Sequence, residues 1–293
     1  MLSAGTGALW KTAGVTERGL LHTTTIGDRG SRVVFLHGLF GQGRNWTQIG
    51  RALANPSAAP STRADPHRVL LVDLPDHGRS PWEDEFDYLN VADRVAGLMD
   101  AEDPVALVGH SLGGKVAMVL ALRHPALVER LCVVDVSPVA YDHLSEFEGY
   151  VAAMRGLDLD AVASRGDADD ALAAAVPDPT VRAFLLQNLR RDGEGWRWQV
   201  NLDVLGAGLP EIGGWPEQQL ADTSPYRGPV LWVAGARSHH VRPEYAATMD
   251  RWFPANRLVT VKEAGHWVHS EQPEVFLEVL RRFVDGTRSA EGG

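Results

Sequence analysis

The stretch VALVGHSLGGKVAM, from Val105 to Met118, decides the fold. At its centre, positions 109–113 read GHSLG and place Ser111 between glycines. A G-x-S-x-G pattern is typical of a sharp turn that joins a strand to a helix and exposes the serine hydroxyl above the sheet edge. The apolar run Val105–Val108 precedes this turn, and good helix formers follow it over Lys115–Leu122. This context favours Ser111 as a nucleophile over a serine that only caps the helix.

The bulk composition limits the classes of protein that this chain can represent. It has 293 residues, a formal net charge of -10 and no block of lysine or arginine, which argues against a nucleic-acid or anionic-lipid surface. The single cysteine, Cys132, lies in an apolar run and is typical of a buried thiol in a reducing compartment. No apolar run reaches the length of a membrane span, and no secretory signal is apparent. We therefore expect a cytoplasmic protein, monomeric or a small homo-oligomer, without nucleic-acid partners.

Strand and helix patterns alternate along most of the chain. Apolar runs rich in β-branched residues predict strands at Arg32–Leu36, Arg68–Leu74, Val105–Gly109, Leu131–Val136, Val230–Gly235 and Arg257–Val261. Helical patterns occur at Asn45–Ala54, Tyr88–Asp100, Ser111–Arg123 and Pro273–Val284. A leading antiparallel strand is expected near Leu20–Ile26. The alternation predicts an α/β fold with a mainly parallel central sheet flanked by helices.

The interval 139–227 interrupts this alternation. It contains no convincing buried strand, and its helical patterns lie at Tyr141–Gly156, Asp167–Val176 and Thr180–Arg191. We interpret it as a helical lid, inserted after the sixth strand and lying over the strand ends where ligands bind in such sheets. The core would then comprise residues 1–138 and 228–293. A passive, stabilising insertion is the alternative.

A serine nucleophile requires a base, and His266 is the best candidate. It lies between a predicted strand and the last helix, in the stretch VKEAGHWVHSEQP at 261–273. Imidazole can accept a proton and return it near neutral pH. His269 is the competitor, but Gly265 frees the backbone where the side chain of His266 must project. We expect His269 to be a packing or surface residue.

The acid that orients this base is less obvious. After the predicted strand VLWVAG at 230–235 the chain reads ARSHH, so Ser238 occupies the place where an acid is common in this architecture. Asp135, at the end of another apolar run, is the alternative. A buried carboxylate needs a partner, and a cationic His266 would be a suitable one. Asp135 could instead cap the turn at Ser137–Pro138.

Backbone N–H groups should stabilise the oxyanion that forms during attack on a carbonyl. One belongs to Leu112, directly after the nucleophile. The second belongs to the loop LHGLFG at 36–41, where Leu39 is the first candidate and Phe40 its neighbour. We interpret His37 as a structural hydrogen-bonding residue of this loop.

We expect no metal site. Asp73, Asp76 and His77 lie close together in the chain but lack a compact ligand spacing with partners elsewhere. His239 and His240 are adjacent rather than one helical turn apart, so both side chains are not expected to hold one ion.

Several motifs together resemble those of the α/β-hydrolases. They are LHGLFG at 36–41, DLPDHGRS at 73–80, GHSLGGKVAM at 109–118, VVDVSP at 133–138, WRWQVNLDVL at 196–205 and AGHWVH at 264–269. More narrowly, the chain is similar to compact bacterial esterases related to mitochondrial abhydrolase-domain proteins, over about residues 21–284. That resemblance implies Asp135 as the acid, Ser238 as an auxiliary member and no cofactor. It also implies a small-molecule acyl ester of short or medium chain length, or a thioester, as substrate.

The reaction expected from these residues is hydrolysis through an acyl-enzyme on Ser111, with His266 as base and Asp135 as acid. The residues expected to line the substrate pocket, unless they belong to the core, are Phe40, His110, Phe147, Phe184 and Trp267. The same triad would also serve a carbon-carbon bond hydrolase, a perhydrolase or an acyltransferase. A noncatalytic ligand-binding protein is a further alternative, although it would be expected to have lost a member of the triad.

Overall fold

A computed structural model describes residues 19–56, 65–142 and 144–286 of the chain. The sequence predicts a loop at Pro56–Pro66 and a frayed tail at Ser289–Gly293. Most of that loop and the whole of that tail lie outside the described residues. Within the described ranges, no helix is long and apolar enough to cross a bilayer.

The described residues form a seven-stranded sheet in the order β1-β3-β2-β4-β5-β8-β9. Its strands are β1 Thr23–Ile26, β2 Arg32–Leu36, β3 Arg68–Val72, β4 Val105–His110, β5 Val128–Val134, β8 Val230–Gly235 and β9 Asn256–Val261. Only β1 is antiparallel to its neighbour. The predicted mainly parallel sheet with a leading antiparallel strand is therefore confirmed.

Helices cover both faces of this sheet. Their bounds are α1 Thr47–Ala54, α2 Tyr88–Ala96, α3 Leu112–Arg123, α4 Ser145–Gly156, α5 Arg165–Leu172, α6 Pro179–Leu186, α7 Leu202–Ala207, α8 Leu209–Gly213, α9 Ala246–Trp252, α10 Val268–Glu271 and α11 Pro273–Asp285. Alternate residues of β2 enter different apolar clusters: Val34 joins the cluster that contains α3, and Phe35 joins the one that contains α11. Such two-sided burial explains why the strands read as continuous apolar runs. Cys132 is a buried, free thiol in the second cluster.

The segment between β5 and β8 contains helices α4 to α8 and an antiparallel hairpin, β6 Leu189–Asp192 with β7 Gly195–Trp198. The sequence analysis did not predict this hairpin, and it extended the third helix of the segment to Arg191, whereas α6 ends at Leu186. The count of preceding strands also differs. In the described residues five strands, β1 to β5, precede the insertion, whereas the prediction placed it after the sixth strand. The antiparallel edge of the sheet there consists of one strand, β1.

Four loops that carry candidate site residues lie at one edge of the sheet. The loops after β4, β5, β8 and β9 carry Ser111, Asp135, Ser238 and His266 respectively. These strands are parallel neighbours, so their carboxyl ends lie side by side. In open α/β sheets this edge is where ligands bind.

Candidate active site

Ser111 occupies the sharp turn between β4 and α3, with φ 53° and ψ -118°. This left-handed conformation is unfavourable for a serine and is typical of functional sites. Its backbone N–H donates to the carbonyl of Val134 at 3.0 Å. The flanking glycines are required by close approaches: a Cβ at Gly109 would lie 2.2 Å from the Gly113 carbonyl oxygen, and one at Gly113 would lie 2.5 Å from the oxygen of His37. The expected strand-turn-helix geometry is present.

Asp135 is completely buried at the end of β5, and its carboxylate is fully partnered. Its Oδ2 lies 2.8 Å from Nδ1 of His266 and accepts a hydrogen bond from Ser238 Oγ at 2.5 Å. Its Oδ1 accepts from the backbone N–H of Gly235 at 2.9 Å. Burial alone would raise the pKa of Asp135, but hydrogen bonds from His240, His266 and Ser238 hold that pKa well below its usual range. Asp135 is therefore an anion that faces the imidazole, rather than a simple turn cap.

His266 has the protonation state that a general base needs. Burial lowers the pKa of His266 below its usual value, and the hydrogen bond with Asp135 opposes this shift. With Nδ1 donating to Asp135, the neutral ring leaves Nε2 free to accept a proton. Among the described residues no hydrogen bond joins His266 to Ser111 Oγ, but the two side chains line the same cleft.

The loop after β2 forms a tight turn in which Gly41 N–H donates to the Gly38 carbonyl at 2.9 Å. Phe40 has a positive φ of 61° in this turn. Its N–H already donates to Nε2 of His77 at 3.1 Å. Leu39, which precedes Phe40 in this turn, lines a cleft together with Ser111 and Leu112. Among the described residues, the N–H of Phe40 has a hydrogen-bond acceptor, whereas the N–H of Leu39 has none.

Two buried histidines hold this loop. His37 Nε2 accepts from the N–H of Leu74 at 3.0 Å, while its Nδ1 donates to the carbonyl of Gly38 at 2.8 Å. His77 accepts from Phe40 and donates to the carbonyl of Pro75 at 2.8 Å. Burial lowers the pKa of His37, and it lowers that of His77 to about 3. Both rings are therefore neutral, and they have a structural role.

Two clefts meet at Ser111. The first cleft has a volume of about 540 Å³. All the side chains predicted to line a substrate pocket line this cleft: Phe40, His110, Phe147, Phe184 and Trp267. The second cleft, about 480 Å³, lies on the side of Leu112 and is lined mainly by apolar side chains of the inserted segment. Leu39 and Phe147 line both clefts.

His110 contacts His266, and His269 packs next to His110 with ring centroids 4.8 Å apart. His110 Nε2 donates to the carbonyl of His266 at 2.9 Å. His269 stacks on Trp46, with ring centroids 4.1 Å apart. Burial lowers the pKa of His110 well below its usual value and that of His269 to about 3. Both are neutral packing residues at physiological pH.

Lys115 is a buried amine that the sequence analysis did not single out as functional. Its Nζ donates to the carbonyls of Gly213 and Gly214, at 2.7 and 2.5 Å, and lies 4.6 Å from the ring centre of Tyr141. Burial lowers the pKa of Lys115 to about 7. Lys115 thus ties α3 to the end of α8 in the inserted segment.

His240 is a second residue whose position the sequence analysis missed. Its Nδ1 lies 3.6 Å from Oδ2 of Asp135 and 3.2 Å from Oγ of Ser238. Its ring centroid is 4.3 Å from that of His266. The available signal was its place just after β8, which pairs with β5 beside the predicted acid.

Several known proteins are similar to this chain in sequence or in fold. Residues 31–273 match the family model of the alpha/beta hydrolase fold. The chain is 37% identical over 258 residues to the sn-1-specific diacylglycerol lipase ABHD11 of Mus musculus, covering 86% of this chain and 80% of that protein. It is 30% identical to the esterase YbfF of Escherichia coli, covering 87% and 93%. A marine microorganism esterase of known structure has a TM-score of 0.83 and 29% identity, covering 90% of this chain and 99% of that one.

Proposed function

The chain belongs to the alpha/beta hydrolase family, and from this premise we propose that it is a carboxylic ester hydrolase whose nucleophile is Ser111. Relatives named esterase and lipase support ester hydrolysis. The observation that carries the assignment is the 2.8 Å contact between His266 Nδ1 and Asp135 Oδ2, beside a serine in a strained strand-to-helix turn.

Acylation begins when Ser111 Oγ attacks the carbonyl carbon of the ester. His266 Nε2 accepts the hydroxyl proton, and the imidazolium that forms is stabilised by the Asp135 carboxylate at Nδ1. His266 then gives this proton to the leaving alcohol, and the acyl group stays on Ser111. Water attacks the acyl-enzyme with His266 again as base, which releases the acid and restores the serine.

The developing oxyanion is stabilised by the backbone N–H groups of Leu39 and Leu112. Each such donor contributes about 3 kcal/mol to transition-state stabilisation. The hydrogen bond from Phe40 N–H to His77 supports Leu39 rather than Phe40 in this role. Ser238 acts as an auxiliary residue that donates to Asp135 and fixes the carboxylate.

The two clefts support an ester with apolar groups on both sides of the reacting carbonyl. We assign the acyl chain to the first cleft, where the rings of Phe184 and Trp267 lie 5.9 Å apart and border a further cleft. This ring pair favours short or medium acyl chains. The second cleft, with Leu144, Leu209 and similar side chains, would hold the alcohol part. An apolar alcohol part is consistent with a relative named diacylglycerol lipase. A thioester would react by the same route.

We further propose that residues 139–227 are a lid over the core formed by 1–138 and 228–293. Phe147 of α4 lines both clefts, and the buried Asn188 donates to the carbonyl of Phe40 at 2.8 Å. The lid would therefore shape the substrate site and hold the oxyanion loop.

Cys132, a buried free thiol, supports a reducing compartment such as the cytoplasm.

The test is turnover of p-nitrophenyl esters and matching thioesters of increasing acyl length, with Ser111→Ala as control. We expect hydrolysis by the wild type, loss of about three orders of magnitude or more in the variant, and labelling of Ser111 by a fluorophosphonate. No turnover of any ester or thioester would contradict the assignment, as would full activity or labelling of Ser111→Ala.

A further inference from the structure

The adjacent pair His239–His240 has no role in the proposed reaction, yet one of its members lies beside the candidate triad. One potential ligand atom from each of Asp135, His240 and His266 lies within 4.8 Å of the other two. His239 is exposed, whereas His240 is half-buried and lines the second cleft. The expectation that both histidines cannot share an ion does not apply to this arrangement, because the ligands come from three different loops.

We propose that Asp135, His240 and His266 form a site for a divalent transition-metal ion such as Zn²⁺, and that binding there inhibits the enzyme. Two imidazoles and one carboxylate are a common zinc donor set. Three protein ligands leave the fourth position of a tetrahedral ion for water, and the second cleft, which His240 lines, gives access to that ligand. The inhibitory part of this proposal rests on the proposed function, whereas the binding part does not.

The distances fit such an ion after a small adjustment. Tetrahedral zinc with nitrogen and oxygen ligands at its usual bond lengths requires ligand atoms about 3.3 Å apart. Asp135 Oδ2 lies 2.8 Å from His266 Nδ1 and 3.6 Å from His240 Nδ1. The first separation must widen by about half an ångström to match that geometry. The second separation must shorten by about 0.3 Å to match it.

Inhibition follows from the proton that the ion displaces. In the free enzyme the neutral ring of His266 carries its one proton on Nδ1, hydrogen-bonded to Asp135. An ion bonded to Nδ1 takes that position, and the proton moves by exchange with water to Nε2. A ring with a protonated Nε2 cannot accept the proton of Ser111. The net charge and the number of protons on the ring do not change.

The donor set also predicts which ions act. Imidazole nitrogen favours Zn²⁺, Ni²⁺ and Cu²⁺, whereas Mg²⁺ and Ca²⁺ prefer oxygen ligands and larger coordination numbers. We therefore expect inhibition by the first group and none by the second at equal concentration. Reversal of the inhibition by EDTA would distinguish reversible metal binding from irreversible damage to the enzyme.

The experiment compares the wild type with His240→Phe and with His239→Phe as its matched control. Phenylalanine at 240 keeps a ring beside His266 and Tyr141 but has no ligand nitrogen. Zinc binding is measured by calorimetry on each purified protein. Esterase inhibition is measured as the ratio of rates with and without zinc for the same protein.

For the wild type and His239→Phe we expect one zinc site and at least a tenfold, EDTA-reversible loss of activity. For His240→Phe we expect zinc affinity to fall by at least about tenfold, with a parallel loss of inhibition. No zinc binding by the wild type, or equal binding and inhibition in the two variants, would overturn the proposal. A wild type that binds zinc but hydrolyses no ester would refute the proposed function and leave the ion site supported.

Discussion

His266 Nδ1 lies 2.8 Å from Asp135 Oδ2, although 131 positions separate the two residues in the chain. The contact exists because β5 and β9 flank β8 in the sheet, so the loops after all three strands meet at one edge. Ser238, which follows β8, donates to the same carboxylate oxygen instead of supplying the acid. The carboxylate therefore reaches the imidazole from the strand that precedes the inserted segment.

Asp135→Asn and Ser238→Ala should differ greatly in their effect on activity. The first removes the negative charge that stabilises the imidazolium, and we expect kcat to fall by about four orders of magnitude. The second removes one donor to the carboxylate, while Gly235 and His266 still hold it, and we expect a loss of about tenfold or less. Steady-state kinetics on one p-nitrophenyl ester measures both. If Ser238→Ala had the larger effect, the acid would have to be reassigned.

The pH profile of kcat/KM should report the protonation of His266. The base must be neutral, so activity rises as pH increases through its pKa. Burial lowers the pKa of His266 from 6.5, and we therefore expect the midpoint of the acid limb below pH 6.5.

Asp135 raises this pKa, so the residual activity of Asp135→Asn should have its acid limb at still lower pH. A buffer series at constant ionic strength gives both profiles. A wild-type midpoint above 6.5, or an upward shift in the variant, would contradict the assignment of His266 as the base.

Lys115→Met should destabilise the fold although it replaces a buried polar group with an apolar one. The side chain keeps its length but no longer donates to the carbonyls of Gly213 and Gly214 at the end of α8. The carbonyl of Gly213 keeps the N–H of Tyr141 as a donor, but that of Gly214 loses its donor. An acceptor left unsatisfied costs about 1–3 kcal/mol, and we expect the free energy of unfolding to fall by that amount. The exposed Lys262→Met is the matched control and should change stability by less than about 0.5 kcal/mol. Urea denaturation measures both, and equal effects would contradict the role of Lys115 as a tie.

The inner strands were predictable because each is a short apolar run that is buried on both faces. Arg32–Leu36 and Val230–Gly235 have the predicted bounds. The hairpin of β6 and β7 was not predictable in this way, because its residues are largely exposed and its charged positions dilute the apolar signal. Its contacts with the loop at Phe40, through Asn188, are long-range and leave no local pattern.

The proposed triad was accessible from local motifs, since Ser111 and His266 follow predicted strands and Asp135 lies at the end of one. The contacts that support the triad were not accessible in this way. The sequence gives no sign that Lys115, in an apolar helix, reaches carbonyls about a hundred positions later, or that His240 rather than His239 turns toward Asp135. Such contacts depend on how separate loops pack, and periodicity does not encode that packing.

Phe184→Ala should extend the acyl chains that the enzyme accepts. A further surface cleft of about 780 Å³ lies beyond the first cleft, and both are lined by Phe184 and Trp267. Removing the Phe184 ring should join them, so we expect the optimum of kcat/KM to move to longer p-nitrophenyl esters, by about tenfold relative to short ones. Phe283→Ala is the control, because Phe283 of α11 lines neither of these clefts, and it should leave the preference unchanged. An unaltered profile in Phe184→Ala would show that the acyl chain does not lie in the first cleft.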